Sequence, residues 1–325
     1  MRRLPPLLAS HALTLMGLAM LAAAAWWLRD DPQALGPMLG AFALLAVNLA
    51  AALITRPRLR REPGLLVLHL ALLALLLLAG GGRLARYEAQ VELADGQALA
   101  DAVPAILVRG PWHSAAMAGV DFIQGPFTVD YGPGLRRGDT RSQVRVAGET
   151  RWVGDTAPLV LDGYRFTTTH NKGYAALLAW IPERGEVIRG AVNMPGYPLF
   201  EGHQENRFQP PGGAVLDLAL VLDRSPPLDQ AWRLDSRQAA GWLRLRRAGA
   251  EYRLAPGDSL ALPGGRLVLE GWRGWMGYRV FHDPTLPWLF ACACLAVGGL
   301  FWYLLSTGSR PAGRSAETPE AAHAA

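Results

Sequence analysis

Residues 63–82, PGLLVLHLALLALLLLAGGG, carry no charged side chain, and their one strongly polar group is the imidazole of His69. Wound as an α-helix, this stretch reaches about 30 Å, the thickness of a bilayer's hydrocarbon core. Backbone that crosses lipid must satisfy its amides and carbonyls internally, so a helix is the form open to a single such segment. Three further apolar runs, residues 4–28, 32–55 and 284–309, have similar length and character. Together they predict a mixed membrane protein with four transmembrane helices, three N-terminal and one C-terminal. These flank an extracytoplasmic all-β domain of sandwich or barrel-like form. The expected organisation is a three-helix membrane region 1–82, a β-rich domain 83–283, a fourth helix 284–309 and a disordered cytoplasmic tail 310–325.

The first run has the arginine-led start of a signal peptide in Arg2 and Arg3. Its length, and Trp26 and Trp27 at the level of an interfacial aromatic belt, favour a retained helix. Orientation follows from the arginines. The segment RPRLRRE, residues 56–62, joins the second and third runs and is expected on the cytoplasmic side. Both termini then lie in the cytoplasm and residues 83–283 lie outside. The formal charge of +5 is concentrated beside the apolar runs, where seven arginines of residues 1–82 face only Asp30, Asp31 and Glu62. No basic groove for nucleic acid is implied.

Residues 83–283 read as strands. Segments 88–93, 127–131, 142–146, 164–168, 214–222 and 266–270 are short and often alternate, with turn signals such as Asp95-Gly96 and Gly264-Gly265 between them. Residues 242–246 and 251–254 around Ala248-Gly249 predict a hairpin. Residues 196–213, GYPLFEGHQENRFQPPGG, are expected to form a long loop. At the far end, Asp283 suits a helix N-cap and Pro284 the first helical position.

Candidate chemistry is sparse. Cys292 and Cys294 both fall in the last apolar run, two residues apart, where a helix points them to different faces. The β region has no cysteine. No CxxCH, GxSxG, HExxH, Walker or dinucleotide-binding pattern occurs, so no catalytic residue is assigned. His113, His170 and His203 read as surface or internally satisfied histidines, and His11 as an interfacial or capping one. Trp272 and Trp275 read as core or interfacial anchors. His282, next to Asp283-Pro284, could ligate a cofactor or sit at headgroup level. His69 is the sharpest candidate, because ionisable groups inside a membrane are costly and tend to mark function. Two readings stand for it: a haem-iron ligand, or a structural hydrogen bond to Asn48, which lies at similar depth on the antiparallel neighbouring helix.

The architecture resembles the ResB family of cytochrome c biogenesis proteins. The likeness is most specific in GWRGWMGYRVFHDPTLPWLFACACLAVGGLFWYLL, a Gly/Trp-containing strand followed by a DPG-like helix start, with Thr285 in place of the glycine, and a Gly-rich final helix. DFIQGPFTVDY followed by SQVRV, the segment AVNMP, and a third-helix histidine matched by His69 in LVLHLALLALLLLAG add to it. The resemblance implies a multi-pass protein of the bacterial inner membrane with its main domain in the periplasm. It would act with a CcsA-type haem-handling partner, in a complex that exports haem b and attaches it to apocytochromes c. This chain would be the non-catalytic subunit of that cytochrome c synthase, with His69 holding haem iron and the second axial position left to the partner. The competing expectation is a membrane-anchored periplasmic ligand-binding sensor or scaffold.

Overall fold

The computed structural model of the protein describes residues 7–31, 33–114, 117 and 119–308. The tail from residue 310, expected to be disordered, lies outside the described residues, as do Arg2 and Arg3. The chain divides into two compact units, one of residues 1–85 with 284–325 and one of Arg86–Asp283.

The first unit is helical: α1 His11–Trp27, α2 Leu35–Thr55, α3 Pro57–Arg61, α4 Pro63–Ala85 and α5 Leu286–Gly308. Helices α2, α4 and α5 are long and apolar enough to cross a membrane, with mean hydropathies of 2.1, 2.4 and 2.0. Helix α1, at 17 residues, is shorter than the run that predicted it. Ser10 is the reason. Its hydroxyl accepts the Leu13 amide at 3.2 Å, capping a helix that starts at His11.

Helix α4 continues through Gly80–Gly82 to Ala85, beyond the expected end. Each glycine costs about 1 kcal/mol of helix propensity, but Gly80 packs on Phe42 of α2, which a Cβ would meet at an ordinary 3.8 Å. Helices α4 and α5 cross at two glycines. A Cβ on Gly64 would lie 2.5 Å from the Tyr303 amide nitrogen, and one on Gly299 would lie 2.7 Å from that of Leu68. Small residues at such a crossing let two backbones approach closely. Helix α5 begins at Leu286 rather than Pro284, the Thr285 carbonyl accepting the Leu289 amide at 2.8 Å.

Among the described residues the second unit holds fifteen strands: β1 Tyr87–Ala94, β2 Ala105–Arg109, β3 Ile123–Gly132, β4 Arg136–Val146, β5 Glu149–Gly154, β6 Leu159–Leu161, β7 Tyr164–Pro182, β8 Ile188–Asn193, β9 Glu205–Phe208, β10 Leu216–Leu222, β11 Trp232–Asp235, β12 Gly241–Arg247, β13 Ala250–Leu254, β14 Ser259–Leu262 and β15 Gly265–His282. They form three antiparallel sheets. One runs β2-β1-β15-β7-β6, with β14 beside β15 and β8 beside β7; the others run β13-β12-β10-β9 and β11-β3-β4-β5. No sheet among the described residues closes into a barrel. Side chains from all three share one core, including Phe166, Leu269 and Tyr278 of the first, Leu218 and Leu243 of the second and Phe127 and Val144 of the third.

Strands β7 and β15 are the longest and pair along most of their length. The glycines of the EGWRGWMGYRV stretch allow this. A Cβ on Gly274 would fall 2.3 Å from the Ser236 Cβ and 2.7 Å from the Phe127 ring, so β15 passes close to β3 and the turn at Ser236–Gln238. The Ala248-Gly249 hairpin forms, with both residues at positive φ (48° and 82°), the geometry of a tight primed turn. Within the expected loop 196–213, residues 205–208 become β9, because the first residues of β10 offer a paired edge.

Strands β1 and β15 carry the chain into and out of this unit. They pair from the end inward, Tyr87 opposite His282 and Glu88 opposite Phe281. Buried Glu88 binds Arg86 at 2.5 Å and the Arg279 Nε at 2.7 Å. Burial alone would raise the Glu88 pKa, but these two guanidinium groups hold it below the ordinary carboxylate value.

Candidate functional site

The helical unit contains a cavity of about 680 Å3, within the range of small-molecule sites. Leu18 of α1, Phe42, Leu45 and Leu49 of α2, Leu72, Leu75 and Leu76 of α4 and Leu289 of α5 line it and make it largely apolar. His69 also lines it. The Nδ1 of His69 lies 2.7 Å from the carbonyl oxygen of Leu65, one turn back along α4. A carbonyl can only accept, so Nδ1 carries the proton and Nε2 of the neutral ring keeps its lone pair. A backbone hydrogen bond of this kind fixes the tautomer and orientation of a ligating histidine.

Asn48 does not bond His69. Its amide group donates to the Leu8 and Ser10 carbonyls at 2.6 and 3.0 Å, and its Oδ1 accepts the Thr14 hydroxyl at 2.7 Å. Buried Asn48 therefore ties the start of α1 to α2, and the expected Asn48–His69 pair is corrected. The amide finds oxygen acceptors where the backbone is freed at Ser10, ahead of the first helical turn.

The sequence reading missed two lining residues. Arg56, which closes α2, was read for topology alone and His11 as an interfacial or capping residue. The structure brings them together, the Arg56 Nη1 lying 3.2 Å from the His11 Nε2 and its Nη2 donating to the Ala9 carbonyl at 2.8 Å. The available signal was that α1 and α2 are antiparallel neighbours joined by a short link, so the start of one faces the end of the other.

The histidines of the β unit lie apart from one another except for one pair. His170 and His203 are exposed. His113 is buried, its Nε2 3.0 Å from the Tyr164 hydroxyl and its ring stacked on Tyr87 at 4.7 Å. His282 stacks on Tyr164 at 4.5 Å and meets His113 edge-on at 5.4 Å. Burial, and then the neighbouring His113, lower the pKa of His282 and keep it neutral. Trp275 is buried, and the Trp272 indole donates to the Gly241 carbonyl at 3.1 Å; both are packing residues.

Among the described residues no group of three or more His, Cys, Asp or Glu could hold a metal ion. Toward a metal the cavity offers the Nε2 of His69, within a largely apolar lining. A single imidazole donor of this kind would suit one axial position of a haem iron. The sequence matches no protein-family model, and no curated protein matches it.

Proposed function

We propose that this chain is a ResB-type subunit of a cytochrome c biogenesis complex, acting with a CcsA-type membrane partner. In this reading the cavity receives haem b as cargo. The observation that carries it is the His69 imidazole on an otherwise apolar helix, its Nδ1 committed to the Leu65 carbonyl and its Nε2 left to ligate, beside a cavity of ligand size. Haem iron takes imidazole readily, and a single donor leaves the other axial position to the partner. His69 orients the iron, and the surrounding leucines exclude water from it. Helix α1 serves as the fourth span, both termini are cytoplasmic and the sandwich-like β unit projects into the periplasm, where apocytochromes c receive haem.

His69→Ala tests this. The variant should insert normally, because the change removes a polar group from lipid. Complex purified with the partner should lose most of its haem absorbance, and cytochrome c maturation should fall; added imidazole should restore part of both. Wild-type haem content and cytochrome yield in His69→Ala would reject the ligand assignment. Reporter fusions after Arg61 and after Thr150 should read cytoplasmic and periplasmic, and the reverse pair would reject the topology.

A further inference from the structure

The polar groups of the cavity are unevenly placed. Arg56 and His11 lie where α2 ends and α1 begins, while Phe42, Ala79 and Leu289 lie toward the other ends of their helices. Arg56 and Phe42 are separated along α2 by about 20 Å at the helical rise. His69 lies between, about 9 Å into α4 from Pro63. The cavity lining includes no acidic residue, and none of the ion pairs among the described residues involves Arg56. Its guanidinium instead spends donors on neutral acceptors. Arginine has no acceptor atom, so His11 must accept through Nε2 as a neutral ring. Among the described residues the half-exposed Arg56 guanidinium is held by an imidazole and a carbonyl and by no carboxylate, and its fork geometry favours an anion.

We propose that Arg56, steadied by His11, binds the carboxylates of the ligand whose iron His69 holds. The inference rests on the haem reading above and adds an orientation to it: haem lies with its propionate edge toward the α2–α4 connection and its apolar edge toward Phe42. Arg56 then selects porphyrins by their acid groups, while His69 selects by the metal. Both contacts come from this chain, so cargo orientation is set before any partner contributes.

The test uses the full-length chain in neutral detergent, titrated with haem as free acid and as dimethyl ester and followed by the Soret band. Wild type should bind the free acid about 10- to 100-fold more tightly than the ester, the range expected for hydrogen bonds to a charged group. Arg56→Gln should remove that preference without moving the Soret maximum, and Arg56→Lys should recover part of it. Equal wild-type affinity for acid and ester overturns the inference and needs no variant to fold. So does an Arg56→Gln protein that keeps the preference. Anionic phospholipid should leave the acid-over-ester ratio in place; loss of the ratio would mean that Arg56 binds lipid headgroups instead. Failure of the haem reading looks different: His69→Ala would then leave the Soret maximum where wild type has it.

Discussion

Lys172 is the chain's one lysine, and it is fully buried. It sits in β7 with its Nζ 2.9 Å from the Thr140 hydroxyl oxygen. Burial, reinforced by Arg137, pushes its pKa from 10.5 down to about 7, with Asp155 opposing. Asp155 is itself engaged by Arg137 and by the Thr168 hydroxyl. The unfolded chain keeps the Lys172 proton up to about pH 10.5 and the folded one releases it near 7, so the unfolded state binds more protons in between. Stability should therefore rise with pH across that window, by about 1.4 kcal/mol per unit and roughly 5 kcal/mol in all.

Lys172→Met removes the titration and fills similar volume, at a cost of about 1 kcal/mol for the lost Thr140 bond. Its advantage over wild type should be about 3 kcal/mol at pH 7.5 and near zero at pH 9.5. Above pH 10 the buried tyrosines act with the opposite sign, Tyr131 being pushed by burial up to about 12. The assay is urea unfolding of Arg86–Asp283, followed by tryptophan fluorescence, at pH 7.5, 8.5 and 9.5. The new N-terminal amine titrates in both proteins and cancels. Wild-type stability that is flat or falling over this range, or a Lys172→Met protein that keeps the wild-type slope, would refute the reasoning.

Arg86–Asp283 expressed alone should give a β-type far-UV spectrum unchanged by reductant, since its residues include no cysteine. Below pH 6.5 that unit should lose stability as His282, whose pKa burial lowers, is forced to take a proton; His282→Phe should lessen the loss between pH 6.5 and 5 in the same urea assay. Asn48→Ala frees the Leu8 and Ser10 carbonyls and the Thr14 hydroxyl, and should cost about 1 kcal/mol of helix association, read as a lower midpoint in thermal unfolding of the full chain in detergent. Gly64→Val should separate α4 from α5, because its Cβ alone would meet backbone at 2.5 Å; cysteine cross-linking between these helices should fall to background.

The long helices were legible because runs such as residues 63–82 leave few alternatives. The Ala248-Gly249 hairpin was legible because a local turn decides it. Residues 164–168 and 266–270 were legible as strands, but their true lengths were not. The strands run on through Gly173, Gly274 and Gly277, where neighbouring backbone or side chains leave no room for a Cβ, a fit that only the assembled sheets reveal. Strand β9 escaped for a similar reason: nothing in Glu-Asn-Arg-Phe favours a strand until β10 lies beside it. The site divided along the same line. His69 stood out because it interrupts leucines, whereas the Asn48 partners and the Arg56–His11 contact depend on how α1 meets α2.

The pairing of β1 with β15 bears on how the molecule carries mechanical load. Both ends of the β unit leave from one end of one antiparallel ladder, beginning at Tyr87 opposite His282. Tension that draws the two chain ends apart does not shear the ladder. It peels the ladder open one pair at a time, a geometry that resists far less force than shear because few hydrogen bonds bear load at any instant. The first pairs to bear it hold Glu88, clamped by Arg86 and Arg279. That clamp acts as a latch at the head of a zipper.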